Sequence, residues 1–139
     1  MKRVFLDTNI LLDYGLDRDG ADYAENILQL GKEGMIELYA SYLSYANMGY
    51  ILRHHPVAER YELVHMMRQP VIVLPCDANQ LDAGLTTEVK DFEDMLQYQC
   101  ALAAGCDVVV TNNKKDFHEF CRIPFLTSEE FLLQFDYEE

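Results

Sequence analysis

The chain has 139 residues, half of them hydrophobic and a quarter charged, and its formal net charge at pH 7 is −13. A chain of this length can bury a proper core, so we expect one domain over residues 1–139 and at most one active site. The strongly acidic balance repels phosphate backbones at long range. Any nucleic-acid role therefore requires a local basic patch or bound cations.

Two features of the sequence indicate the compartment. The first residues include Lys2 and Arg3, but the apolar run that follows is short and is interrupted by Asp7. This pattern predicts neither a signal peptide nor a membrane-spanning segment, so we expect a cytoplasmic protein without membrane contact. The cysteines form no Cys-x-x-Cys pair, which favours reduced, structural thiols over a zinc site or a disulfide frame. They are Cys76, Cys100, Cys106 and Cys121.

Segments typical of strands alternate with segments typical of helices along the chain. The strand segments are short and apolar, whereas the helical segments repeat apolar side chains every three or four residues. Ser41, Asp77 and Asp91 are the expected N-caps of the helices that follow them. The predicted strands are residues 4–6, 35–40, 71–75, 107–111 and 123–127. The predicted helices are residues 21–31, 42–55, 57–69, 78–89 and 92–105, and a short closing helix starts at Ser128.

This alternation predicts an α/β fold, in which right-handed crossovers build a parallel sheet with helices on both faces. In such sheets, ligands bind beyond the carboxyl ends of the strands where the strand order reverses. Asp7 follows the first strand, Thr111 ends the fourth, and Asp116 comes shortly afterwards. If these strands are neighbours, the three side chains converge. Asp94, at the third position of the helix that precedes the fourth strand, can join them.

The predicted convergence of Asp7, Asp94 and Asp116 has an electrostatic consequence. Three carboxylates in a pocket of low dielectric constant cannot all stay ionised, because each raises the pKa of the others. A divalent cation removes this conflict. Mg²⁺ or Mn²⁺ takes oxygen ligands and is commonly held by one or two carboxylates together with a substrate phosphate. The pattern therefore predicts a metal ion and a phosphate ester at one site.

Two stretches of sequence carry a family resemblance, VFLDTNILLD at residues 4–13 and DFEDMLQYQCALAAGCDVVVTNNKKDF at residues 91–117. The first places Asp-Thr-Asn after a strand. The second places Ala101 seven residues after Asp94 and an Ala-Gly pair shortly after that, and it ends with Thr-Asn-Asn before Asp116. Combined, these motifs resemble the PIN-domain family, the small metal-dependent ribonucleases that include the VapC-type toxins of bacterial toxin–antitoxin pairs.

The resemblance implies a five-stranded parallel sheet of order 3-2-1-4-5, with the first and fourth strands adjacent. It implies that Asp7, Asp94 and Asp116 bind Mg²⁺ or Mn²⁺ and that the reaction is hydrolysis of RNA phosphodiester bonds. It further implies a homodimer and an antitoxin protein that inserts near the acids. Thr8, Asn9, Thr111 and Asn113 flank the acids and are candidates for binding the cofactor. Thr111 and Asn113 either orient a water on the metal or a phosphate, or make ordinary turn hydrogen bonds.

Asn47 departs from the family pattern. Members of the family usually carry a glutamate in the helix after the second strand, and Asn47 stands at the matching position. An amide can coordinate a cation but brings no charge and cannot act as a base, so metal binding is expected to be weaker and catalysis slower or absent. Asn47 shares a helical face with Leu43, Tyr50 and Ile51, and is therefore expected to point inward, as a ligand or as a buried amide.

Several residues also have structural explanations. Asp7 can cap the turn that follows it, and Asp91 is better explained as a cap than as a ligand. Arg53, His54 and His55, together with two lysines after the fourth strand, form either a local basic patch or a solvated surface. Two other functions stay open. One is a catalytically weak module that binds RNA or a protein. The other is a phosphoacceptor receiver domain, which fits poorly because its phosphorylated aspartate would follow the third strand, where Asp77 is a likely helix cap.

Overall fold

Five short strands form one parallel sheet with β1 at its centre. The computed structural model describes residues 1–138 of the chain and the side chains of residues 1–136. The strand order is β3-β2-β1-β4-β5, which confirms the predicted fold class and order. The strands are β1 (Arg3–Leu6), β2 (Glu37–Ser41), β3 (Ile72–Leu74), β4 (Val108–Val110) and β5 (Phe125–Leu126).

Helices cover both faces of this sheet. Successive side chains of β1 point to opposite faces, so Val4 and Leu6 lie in one apolar cluster and Phe5 lies in the other. Burial on both faces explains why β1 is a continuous apolar run. The helices are α1 (Thr8–Gly15), α2 (Ala21–Lys32), α3 (Tyr42–Ile51), α4 (Val57–Arg68), α5 (Ala78–Gly84), α6 (Phe92–Ala103), α7 (Lys114–Phe117) and α8 (Ser128–Glu138).

The first cluster contains buried residues of α1, α2, α4 and α8, whereas the second contains those of α6 and α7. The sheet therefore separates two cores, and α6 packs on the face opposite to α1 and α2. Since α6 begins at the carboxyl edge of the sheet and α1 follows β1 directly, the ends of these helices approach each other beyond the central strands. This edge is where the sequence places the candidate acids.

Helix α1 is the main element that the sequence patterns do not predict. Its residues Ile10, Leu11 and Leu12 are consecutive and all buried, so the segment shows no alternation between apolar and polar faces. Asp7 starts the helix, because its Oδ1 accepts a hydrogen bond from the backbone N–H of Thr8 at 2.8 Å. The capping role considered for Asp7 is therefore present.

The three residues predicted as caps all occupy N-cap positions, and two of them make side-chain capping bonds. Asp77 accepts a hydrogen bond from the N–H of Asn79 at 2.8 Å, and Asp91 accepts one from the N–H of Asp94 at 2.9 Å. Ser41 occupies the N-cap position of α3, as predicted, but its side chain makes no capping bond. Its hydroxyl donates to Oε1 of the buried Gln97 at 2.5 Å.

Helices α3 and α5 are shorter than predicted. Helix α3 ends at Ile51, and the guanidinium of Arg60 donates to the carbonyl oxygens of Leu52 at 3.2 Å and Arg53 at 2.9 Å. These bonds satisfy carbonyl groups that a longer helix would have used internally. Helix α5 ends at Gly84, where the hydroxyl of Thr86 donates to the carbonyl of Ala83 at 2.7 Å.

The cysteines agree with the structural role that their spacing predicts. All four thiols are free, and burial raises the pKa of Cys100 to about 12 and that of Cys106 to about 11. A thiol with so high a pKa is a poor nucleophile and a poor metal ligand at neutral pH. Among residues 1–138, no helix is both long enough and apolar enough to cross a membrane.

Candidate metal centre

Asp7 and Thr111 meet at the carboxyl edge of the sheet, directly beyond β1 and β4. The register pairs Leu6 with Val110, and the N–H of Asp7 then donates to the carbonyl of Val110 at 3.0 Å. This bond extends the ladder by one step and brings the next residues alongside each other. The hydroxyl of Thr111 donates to Oδ2 of Asp7 at 2.9 Å, and both residues are buried.

Asp94 approaches the same edge from α6. It is the third residue of that helix and is only 4% exposed. The side-chain amide of Asn113 donates to Oδ2 of Asp94 at 2.7 Å and to Oδ2 of Asp116 at 2.9 Å. These two oxygens are therefore separated by no more than the sum of the two bonds, a span that a hydrated divalent cation can bridge.

A cleft of about 280 Å³ opens at this edge. Six of the sequence-predicted residues line it: Asp7, Thr8, Asn9, Asn47, Asp94 and Asn113. Thr111 and Asp116 do not line the cleft, and each instead contacts a residue that does. The structure thus brings all eight predicted site residues together, six at the cleft and two, Thr111 and Asp116, bonded to residues that line it.

The electrostatics of the cleft favour a cation. Burial raises the pKa of Asp7 to about 6, against the opposing effect of its hydrogen bonds from Thr111 and Thr8. Burial also raises the pKa of Asp94 to about 8, and the negative charge of Asp7 adds to this rise. Ionising both groups at neutral pH is therefore costly unless a positive charge is present. The donor set consists of carboxylate, amide and hydroxyl oxygens, which suits Mg²⁺ or Mn²⁺.

Two further acids lie at the cleft that sequence reasoning did not assign to the site. Oxygens of Asp91, Glu93 and Asp94 lie within 4.8 Å of one another, and Asp91 and Glu93 both line the cleft. Asp91 retains the capping bond that its position predicts. The signal for Glu93 was available as an acid next to Asp94 in the first turn of α6, but acids are common there for reasons of helix stability.

Asn47 does not point into the core. The buried residues of α3 are Ser44 and Met48, whereas Asn47 is half-buried and lines the cleft with Tyr50 and Ile51, which are exposed. The expectation that this helical face points inward is therefore wrong. This face of α3, with Asn47, Tyr50 and Ile51, forms one wall of the cleft and is not packed in the core.

A buried network of hydrogen bonds lies next to the cleft and includes Thr8, one of the residues that line it. Gln97 of α6 is fully buried, and its amide donates to the hydroxyl of Thr8 at 3.2 Å and to that of Ser44 at 3.1 Å. The hydroxyls of Thr8 and Ser44 are themselves 2.8 Å apart. The network ties α1, α3 and α6 together, so the hydroxyl of Thr8 has structural partners as well as access to the cleft.

The candidate basic patch is divided between separate contacts. Lys114 pairs with Glu130 of α8 at 2.9 Å, and the guanidinium of Arg53 lies 3.9 Å from the ring centroid of Tyr50. His55 contacts Glu59 at 3.4 Å. Each of these side chains has a local partner, which favours the solvated-surface explanation over a continuous phosphate-binding patch.

The chain is similar to known proteins in sequence and in structure. The sequence model described as PIN domain matches residues 3–115. No curated protein matches the chain significantly in sequence. The strand order also differs from the order 2-1-3-4-5 of receiver domains, which argues against a phosphoacceptor.

Several solved structures share the fold at low identity. One is VapBC2 from Rickettsia felis bound to a DNA fragment from its promoter, with a TM-score of 0.69 and 17% identity over 88% of this chain and 96% of that chain. VapBC-1 from nontypeable Haemophilus influenzae has a TM-score of 0.69 and 18% identity over 91% and 98%. DNA-bound VapBC from Salmonella typhimurium has a TM-score of 0.69 and 19% identity over 92% and 99%. The match of the family model over residues 3–115 and this shared fold show that the chain belongs to the PIN domain family.

Proposed function

We propose that the protein is a metal-dependent ribonuclease that hydrolyses RNA phosphodiester bonds and acts as the toxin of a toxin–antitoxin pair. PIN domains are generally nucleases that use divalent metals. The observation that carries the proposal is the grouping of Asp7, Asp94 and Asp116 through Thr111 and Asn113. These five residues come from three separate parts of the chain, which local folding requirements do not explain.

Asp7 and Asp94 would hold the metal directly, because both are buried carboxylates that line the cleft. Asp116 would contribute from behind Asn113, as a third negative charge. A bound Mg²⁺ or Mn²⁺ supplies an activated water and stabilises the charge on the leaving oxygen of the scissile phosphate. The proposed mechanism requires no side chain as nucleophile.

The surrounding residues would fix the carboxylates in place. Thr111 and the N–H of Thr8 bind the two oxygens of Asp7, so that carboxylate has one orientation. The amide of Asn113 orients Asp94 and Asp116 together. Asn9 is exposed at the mouth of the cleft, where it can contact a phosphate. Fixed ligands lower the cost of organising the site when substrate arrives.

An RNA substrate would reach the acidic cleft as a single strand or a loop. The net charge of −13 repels a phosphate backbone until cations neutralise the acids. Unstacked backbone is narrow enough to enter such a cleft, and the exposed ring of Tyr50 at its wall offers a surface for a base. The preference for RNA derives from the family resemblance.

The partners are part of the same proposal. Three solved structures with this fold are VapBC assemblies, and two of them are bound to DNA. We therefore expect an antitoxin protein that covers the acidic cleft, and a homodimer of the toxin. A complex of both chains would contact DNA through the antitoxin, because this chain is strongly acidic.

A titration of Mg²⁺ or Mn²⁺ followed by thermal unfolding tests the metal site. Wild type should gain about 2.7 kcal/mol of stability at a metal concentration about 100 times Kd. Asp94→Asn should lose this gain, whereas Asp82→Asn, an exposed aspartate of α5, should keep it. Equal gains for all three proteins, or none, would reject the metal site.

The alternative function is a module that binds RNA or protein without cleavage. The observation that favours it is the amide of Asn47, which occupies the place of an acid and donates to Glu93. Purified protein mixed with single-stranded RNA and Mn²⁺ separates the two. Cleavage that Asp7→Asn abolishes supports the ribonuclease, and tight binding without cleavage that survives Asp7→Asn supports the module.

A further inference from the structure

Glu93 of α6 lies across the cleft from Asn47 of α3. The side-chain amide of Asn47 donates a hydrogen bond to Oε1 of Glu93 at 2.7 Å. The amide of Gln97, one turn further along α6, donates to the same oxygen at 3.3 Å. Two amides from different helices therefore hold one oxygen of a carboxylate that sits at the rim of the metal site.

The second oxygen of Glu93 is available to a ligand. Within residues 1–136, Oε2 of Glu93 accepts no hydrogen bond, whereas Oε1 accepts two. Glu93 also lines the cleft that Asp7 and Asp94 line, and one of its oxygens lies within 4.8 Å of oxygens of Asp91 and Asp94. An oriented carboxylate with one open oxygen is the arrangement that a metal ligand needs.

An asparagine at position 47 is electrostatically compatible with a glutamate at position 93, whereas a second glutamate is not. A glutamate at position 47 would bring a second carboxylate against that of the exposed Glu93, and two like charges at this distance repel each other. An asparagine supplies an N–H donor instead and stabilises the charge on Glu93. The cleft therefore keeps the number of acids that the family pattern implies, although one of them comes from α6 and not from α3.

We propose that Glu93 is the fourth carboxylate of the metal site, in the place of the glutamate that the family resemblance implies on α3, and that Asn47 is its positioning residue. This inference rests on the proposed metal-dependent function. It changes the expected consequence of Asn47, because the site does not lose a negative charge. It also assigns a function to the contact between Asn47 and Glu93, which joins residues 46 positions apart.

Direct measurement of Mn²⁺ affinity tests the role of Glu93. Isothermal titration calorimetry, together with the electron paramagnetic resonance of free Mn²⁺, gives the affinity without any assay of RNA cleavage. Glu93→Gln should weaken binding by about 10–100-fold. The matched control is Glu129→Gln, because Glu129 is the second residue of α8 as Glu93 is of α6, and it should bind Mn²⁺ as wild type does.

A charge-exchange variant tests the pairing with position 47. Asn47→Glu combined with Glu93→Gln returns the carboxylate to α3 and places an amide opposite to it, so Mn²⁺ affinity should recover relative to Glu93→Gln alone. Circular dichroism of the metal-free proteins checks that each variant folds. If the double variant binds Mn²⁺ no better than Glu93→Gln, the exchange between the two positions is wrong.

Asp94→Asn separates failure of this inference from failure of the proposed function. If Asp94→Asn loses Mn²⁺ binding and Glu93→Gln binds as tightly as wild type, the metal site stands and the role of Glu93 is overturned. If wild type itself shows no Mn²⁺ binding, both the metal-dependent function and the role of Glu93 are overturned.

Discussion

The hydroxyl of Thr111 donates a hydrogen bond to Oδ2 of Asp7 at 2.9 Å, although 104 positions separate the two residues. The same hydroxyl oxygen accepts the N–H of Asn113 at 2.9 Å. Thr111 thus links the carboxylate after β1 to the loop that carries Asn113, whose amide holds Asp94 and Asp116. One buried hydroxyl connects all three candidate metal-binding acids.

Replacement of Thr111 by valine should destabilise the metal-free protein by about 1–3 kcal/mol, because it leaves a buried acceptor on Asp7 and the N–H of Asn113 without partners. The pKa of Asp7 should rise further, since the bond from Thr111 lowers it. Urea denaturation measures the stability. Thr111→Ser keeps the hydroxyl and is the control; a Thr111→Val protein as stable as Thr111→Ser would show that the bond contributes little.

The stability of the metal-free protein should depend on pH through Asp7 and Asp94. Their pKa values in the folded protein, about 6 and about 8, lie above the ordinary value of 3.8. Between about pH 4 and pH 8, the folded protein therefore binds more protons than the unfolded chain, and the free energy of unfolding contributed by these groups falls as pH rises. The stability that these two groups contribute is fully present below about pH 4 and is lost as pH rises through their folded pKa values, about 6 and about 8.

Mg²⁺ should reverse this dependence, because it stabilises the ionised forms of both carboxylates. Urea denaturation in chelator and in excess Mg²⁺ should therefore diverge as pH rises, with the largest difference near pH 8. In chelator, Asp94→Asn should flatten the fall above about pH 6, since the group with the highest pKa is gone. A fall of unchanged slope in that variant would contradict the assignment to Asp94.

The family resemblance predicts the strand order, and once β1 and β4 are neighbours the grouping of Asp7 with Thr111 follows from their positions. A residue that directly follows a central parallel strand must lie at the carboxyl edge, whatever the loops do. The contact between Asn47 and Glu93 could not be predicted in this way, because it depends on how α3 and α6 are rotated about their axes. Few sequence patterns fix such a rotation when one helix, like α3, exposes part of its apolar face.

Gln97 shows a second limit of the sequence. It looks like an ordinary polar residue of α6, yet it is fully buried and contacts Ser41, Thr8 and Ser44. Its burial results from the packing of α6 against the ends of β2 and α1, which brings three hydroxyls together. The missing capping bond of Ser41 has the same origin, since its hydroxyl donates to Gln97.

Replacement of Gln97 by methionine should destabilise the protein by about 1–3 kcal/mol, because the shape is retained while the buried hydroxyl of Ser41 loses its acceptor. Gln99→Met is the matched control on the same helix, as its amide makes a weak hydrogen bond to the sulfur of Met95 at 3.5 Å. This control should stay within about 0.5 kcal/mol of wild type. Similar losses for both variants would indicate that the network is weak.

Two glycines inside helices should respond to alanine in opposite directions. A Cβ on Gly31 of α2 would lie 2.5 Å from Cδ1 of the buried Leu38, so Gly31→Ala should cost about 1–3 kcal/mol through overpacking between α2 and β2. A Cβ on Gly49 of α3 would meet no atom within 4 Å, so Gly49→Ala should stabilise the protein by about 0.5–1 kcal/mol through reduced backbone entropy of the unfolded chain. Thermal unfolding of both variants measures the difference. Stabilisation by Gly31→Ala would mean that α2 can move away from the sheet, and that the close packing at Leu38 is not a requirement of the fold.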